Sequence, residues 1–244
     1  MSGHSKWSKI KRGKEKTDAA RSKAFTKITR EIITAAGEGG GDPDHNFRLR
    51  LVIQKARSVN MPNDNIMRAI KRGIGEAKQS AYESVVYEGY GPGGMAVLVE
   101  VLTDNRNRTA GEVRHIFAKN GGNLGETNCV SWMFKRKGIL VVELDENSNS
   151  EDKITEMIME VDAEDFLVEN GVMEIYTDPA SFERVKSGLE GKGLIFSSAE
   201  LAMVPLNTIN LDGDALKNAV ALVEGLEEND DVQNVYTNLD MPES

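Results

Sequence analysis

The apolar residues of this chain change their spacing once, near residue 80, and that change limits what the chain can fold into. Before it, Phe25, Ile28, Ile32 and Ala36 recur at three-to-four intervals, as do Leu49, Val52, Ile53 and Ala56, and then Ile66, Ala69, Ile70 and Ile74. Each set lines one face of a helix. The spacing predicts helices from Thr17 or Asp18 to Ala36, from about Asp44 to Val59, and onward from Pro62, which suits a first helical turn. After residue 80 the apolar residues gather into short β-like runs, 85–88 and 95–102, joined by the turn GYGPGG. A helix is expected from about Thr109, where Thr109 and Glu112 fit a capping box, to the Asn120-Gly121-Gly122 stop.

From residue 131 a second alternation begins. Strand 139–144, helix 151–161, strands 165–169 and 172–177, helix 179–190 and strand 194–204 make β-α-β-β-α-β, a ferredoxin-like order. Residues 206–239 read as strand, helix, strand and need partners; the unfinished β-β-α unit before them supplies these. The fold class is therefore α+β and multidomain: a basic all-helical domain (1–80), a middle α/β domain (81–130 plus 206–244), and an acidic ferredoxin-like domain (131–205) inserted into it.

Charge follows the same division. Residues 1–30 carry ten Lys or Arg against Glu15 and Asp18, in a chain whose formal net charge is −9. Residues 1–80 sum to +10 and residues 138–244 to −20. Positive charge gathered at one end predicts a polyanionic partner there, nucleic acid first. The expected contacts are Lys6, Lys9, Lys11, Arg12, Lys14 and Lys16 of a basic arm, continued by Arg21, Lys23, Lys27 and Arg30 along the first helix. Trp7 lies among these cations, placed to stack on or wedge between bases. In TDNRNRT (103–109), Arg106 and Arg108 precede a helix N-terminus and are candidates for a secondary phosphate contact.

Other chemistries are poorly served. Gly89, Gly91 and Gly94 match G-x-G-x-x-G, but a β-like run follows instead of a helix, so a strand-to-strand turn is expected rather than a dinucleotide site. No P-loop motif occurs. Cys129 stands alone, which excludes an intrachain disulfide and multi-thiolate metal sites. His4, His45 and His115 lie far apart. No catalytic residues, metal, cofactor or small-molecule substrate are expected, and the chain is not expected to be an enzyme. No apolar run approaches the length of a membrane span.

The motifs GHSKW (3–7), EIITAAGEGGGDP (31–43), YEGYGPGG (87–94), TDNRNRT (103–109) and GGNLG (121–125) closely resemble the YebC/PmpR family, whose mitochondrial relative is the translational activator of cytochrome c oxidase. The resemblance implies a helical N-terminal domain followed by two α/β domains, one inserted in the other. It also implies a cytoplasmic DNA-binding transcriptional regulator or, as the alternative, a ribosome-associated factor that contacts ribosomal RNA and aids synthesis of proline-rich stretches. GHSKW begins at Gly3, which suggests a bacterial-type member without a mitochondrial transit segment.

Overall fold

A computed structural model of the chain describes residues 18–75, 82–145 and 150–240. Phe134–Val204 forms one compact unit; Met1–Met133 with Pro205–Ser244 forms the other.

The larger unit begins with three helices: α1 (Asp18–Gly39), α2 (Phe47–Ser58) and α3 (Asn63–Ile74). The apolar stripes read from the sequence are what they bury. Ile28, Ile32 and Ala36 meet Leu49, Val52, Ile53 and Ala56 of α2 and Ile66, Ala69 and Ile70 of α3. Ile32 and Leu49 are fully buried, so truncating either to alanine should cost about 2–5 kcal/mol. Ile74, expected inside, is instead half exposed as the last residue of α3.

Two local devices set the bundle geometry. The buried Asn46 caps α2 by accepting from the Leu49 N–H at 3.0 Å, while its amide donates to the carbonyls of Ala35 (2.8 Å) and Gly40 (2.7 Å). One side chain thus ties the end of α1 to the start of α2. At the α1–α3 crossing, a Cβ on Gly73 would lie 2.5 Å from the Ile33 carbonyl oxygen and 2.8 Å from the Ala36 Cβ. The helices approach this closely because position 73 has no side chain.

The same unit continues as a four-stranded sheet of β1 (Glu83–Tyr90), β2 (Ala96–Thr103), β3 (Asn123–Leu124) and, from the chain's far end, β9 (Val232–Thr237), in the order β3-β1-β2-β9. β1 and β2 pair antiparallel over their whole length, from Glu83 opposite Thr103 to Tyr90 opposite Ala96. The glycine-rich segment between them is a tight turn in which Gly93 (φ 65°) and Gly94 (φ 79°) occupy left-handed backbone, as the strand-to-strand reading requires. Val97, Val99 and Val101 of β2 share a core with Val113 and Phe117 of α4 (Arg106–Lys119) and with Ala219, Leu222, Val223 and Leu226 of α7 (Gly213–Glu228). A short parallel pair, β8 (Ile209–Asn210) and β10 (Leu239–Asp240), completes the unit.

Helix α4 starts three residues earlier than its expected capping box. Asn105 is the cap, accepting from the Arg108 N–H at 3.1 Å, and Thr109 sits inside the helix, fully buried. Both residues can cap in isolation. The Thr109 hydroxyl is taken by buried partners elsewhere in the fold, which leaves the role to Asn105.

The second unit runs β4 (Phe134–Glu143), α5 (Glu151–Met159), β5 (Asp165–Glu169), β6 (Val172–Thr177), α6 (Phe182–Gly191) and β7 (Ser198–Pro205). Its sheet order, β5-β6-β4-β7, is that of a ferredoxin-like fold. Leu140 pairs opposite Ile175 and Val142 opposite Met173 in the antiparallel central ladder. Ile154 and Ile158 of α5 and Phe182, Val185 and Leu189 of α6 supply its buried helical residues. β4 starts five residues before the expected strand, and β7 four residues after. The later start follows from Gly193, whose φ of +87° turns the chain out of α6 before pairing resumes.

Candidate nucleic-acid interface

Lys6, Trp7, Lys9, Lys11, Arg12, Lys14 and Lys16 lie outside the described residues. The described part of the basic track is α1, and there it divides. Arg21 is exposed and Lys23 half-buried near the start of the helix. Lys27 and Arg30, one and two turns on, point back into the protein. The Lys27 ammonium donates to the Glu227 carbonyl at 2.6 Å. The Arg30 guanidinium donates to the Asp230 carbonyl (2.6 Å) and the Asp231 carboxylate (2.5 Å), and lies 5.3 Å over the Tyr82 ring.

Asp231 is the centre of this contact, with its side chain only 4% exposed. Besides Arg30 it accepts from Thr109 at 2.5 Å, Arg108 at 2.7 Å and Thr103 at 3.1 Å. Burial by itself would push this carboxyl up. The hydrogen bonds from Thr109, Arg108, Arg30 and Thr103 outweigh burial and hold it below the usual carboxylate range. Arg108, joined to Asp231 and at 2.9 Å to Asp104, is correspondingly held even more firmly protonated. Three parts of the fold thus meet at one carboxylate: the helical bundle through Arg30, helix α4 through Thr109 and Arg108, and β2 through Thr103.

This changes the setting of the secondary phosphate candidates. Arg106 and Arg108 occupy the first turn of α4 rather than a loop ahead of it. Arg108 already has carboxylate partners. Arg106 makes a long, exposed contact to Glu83 at 3.3 Å, and its carbonyl accepts from the Tyr87 hydroxyl.

Other cations of the bundle carry no internal partner among the described residues. The side chains of Lys23, Arg57, Lys71 and Arg72 make no hydrogen bond or ion pair among the described residues, and Arg57, Lys71 and Arg72 are exposed. Beside them Arg68 donates to the Asp64 carbonyl and the Asn65 side chain. Lys55 and Arg48 are instead paired with Glu31 and Glu38. Helices α2 and α3 are separated only by residues 59–62, where Asn60 turns the chain at φ 58°. Only the fold sorts these cations, among the described residues, into those with internal partners and those without.

Among the described residues no group of His, Cys, Asp or Glu is arranged to hold a metal ion. No described helix is long and apolar enough to cross a membrane. The half-buried Cys129 thiol is pushed up, chiefly by burial and then by the Glu88 charge, which disfavours the reactive thiolate.

Comparison with known proteins places this arrangement. Residues 5–76 match the model for the TACO1/YebC protein N-terminal domain, and residues 82–239 that for the TACO1/YebC second and third domain. The chain belongs to the TACO1/YebC family. A TACO1/YebC relative from Pelotomaculum thermopropionicum, named a probable transcriptional regulatory protein, is 54% identical, covering 99% of both chains. One of the same name from Halothermothrix orenii is also 54% identical, over 100% of this chain and 96% of that one. Among solved structures, a conserved hypothetical protein from Aquifex aeolicus superposes with a TM-score of 0.85 at 46% identity, covering 93% of each chain.

Proposed function

We propose that this TACO1/YebC protein is a non-enzymatic regulator of transcription that binds DNA through its helical domain, residues 1–80. The observation that carries the reading is the segregation of charge: +10 on residues 1–80 against −20 on residues 138–244. A phosphate backbone is attracted to the first and repelled by the second. Lys23, Arg57, Lys71 and Arg72, whose side chains have no partner among the described residues, support it, because such cations can exchange counterions for phosphates at little cost. The names of the relatives point the same way. The arm residues Lys6, Lys9, Lys11, Arg12, Lys14 and Lys16, with Trp7, extend the surface, and Arg21 joins it. Lys27 and Arg30 contribute by orienting α1 on the rest of its unit, since their side chains are engaged there.

Titration of duplex DNA across a salt series tests the proposal. With about six phosphates neutralised, affinity should fall with a log–log slope near −5. Salt-independent binding, or none at micromolar protein, refutes it. A second reading rests on the −20 of residues 138–244, which suits basic ribosomal proteins. Co-sedimentation with ribosomes that survives DNase would move the target to ribosomal RNA; absence from ribosomal fractions removes that reading.

A further inference from the structure

Residues 125–133 form a loop whose order is built from underneath. Glu88 on β1 is only 4% exposed, yet its carboxylate faces this surface loop. It accepts the backbone N–H groups of Asn128 (2.8 Å), Val130 (2.9 Å) and Ser131 (2.7 Å). The Glu88 carbonyl accepts a further N–H, from Gly125, at 2.8 Å. A buried carboxylate is unfavourable unless its oxygens are satisfied, and here the loop satisfies them, with three backbone N–H groups and the Ser131 hydroxyl. Above this anchor the Cys129 carbonyl accepts twice, from the Tyr90 hydroxyl and from the Trp132 indole N–H, each at 3.0 Å. Trp132, so fixed, is 69% exposed.

We infer that Trp132 is a shelf on which an unpaired nucleobase stacks. The indole N–H is already satisfied inside the loop, so the ring offers a partner only its π faces. Base stacking needs those faces and nothing more, and it tolerates any base. The loop around it is polar and exposed at Glu126, Thr127 and Asn128. That suits a wet nucleic-acid contact, and the Tyr90 ring beside Trp132, sharing the Cys129 carbonyl, is itself partly exposed. Holding the ring in advance spares the ordering entropy that a mobile tryptophan would lose on binding. The inference rests on the proposed nucleic-acid function and adds a recognition point outside residues 1–80, in the loop between β3 and β4.

The test uses the full chain and short single-stranded DNA and RNA oligonucleotides carrying 5-iodouracil, which photocrosslinks to a stacked aromatic ring. Irradiation should give an adduct mapped by mass spectrometry to Trp132, and the strand that forms it, DNA or RNA, identifies the source of the base. Trp132→Ala should weaken binding about ten-fold without altering the salt slope, which counts phosphates. Trp132→Phe should recover part of the loss. Adducts confined to other residues, with undiminished binding by Trp132→Ala, overturn the stacking site and leave the helical-domain proposal standing. No binding of any nucleic acid by the wild-type chain at low salt overturns both.

Discussion

Replacing Asp231 by asparagine would remove one charge and nearly no volume, yet it should be among the more damaging single changes in this protein. The carboxylate accepts from two guanidinium groups and two hydroxyls at 2.5–3.1 Å. All four neighbours are donors, and one face of an asparagine amide is itself a donor. At least one contact is lost and another becomes repulsive. Removing one member of a buried pair costs about 3–5 kcal/mol when the remaining charge is trapped. Here the Arg30 side chain keeps 16% and Arg108 43% of its exposure, so water recovers part of that. About 2–4 kcal/mol is the expected loss. Urea denaturation followed by circular dichroism would measure it, with proteolysis separating the transition of this unit from that of residues 134–204. The pH dependence gives a second check. Asp231 is held below its ordinary 3.8 in the folded state, so its stabilisation is fully present above that value. It is lost as pH falls through the lower folded value. The wild-type advantage over Asp231→Asn should therefore be constant near neutrality and shrink only below about pH 4. A difference under about 0.5 kcal/mol at pH 7, or one that shrinks between pH 5 and 8, would refute the reasoning.

Three further outcomes follow from the packing and charge. Gly73→Ala places a methyl 2.5 Å from the Ile33 carbonyl oxygen and should lower stability by about 1–3 kcal/mol, read as a reduced melting temperature. Glu88→Gln replaces one acceptor oxygen by a donor facing backbone N–H groups; hydrogen exchange at Asn128, Val130 and Ser131 should accelerate, and unchanged protection would show that the carboxylate is dispensable. Lys71→Gln with Arg72→Gln should reduce the DNA salt slope by about 1–2 units while leaving urea stability intact, since neither side chain is bonded among the described residues; an unaltered slope removes α3 from the interface.

The parts legible in the sequence are those set by neighbours along the chain. Helical spacing located α1, α2 and α3 because a stripe such as Leu49, Val52, Ile53 and Ala56 has only one way to face a core. The β-α-β-β-α-β order came from the same local periodicities. The strand-to-strand nature of GYGPGG followed from what comes after it. Less was legible wherever two residues had equal local claims. Thr109 and Asn105 both look like caps, and Asn105 prevails because Thr109 is drawn to a carboxylate 122 positions away.

The side-chain assignments show the same boundary more sharply. Lys23, Lys27 and Arg30 are alike as sequence: cations on one exposed-looking helical stripe. Only the return of the chain some 200 residues later, bringing Glu227, Asp230 and Asp231 against α1, separates the bound pair from Lys23. Trp132 carried no sequence signal at all, because its meaning lies in Glu88, more than forty positions earlier and buried beneath the loop. Sequence alone determined the elements, their order and the placement of net charge, since these depend on short-range sterics and on simple counting. Tertiary structure decided which charges remain available and which aromatic ring stays open, because a long-range ion pair or a buried anchor exists only after distant segments have met.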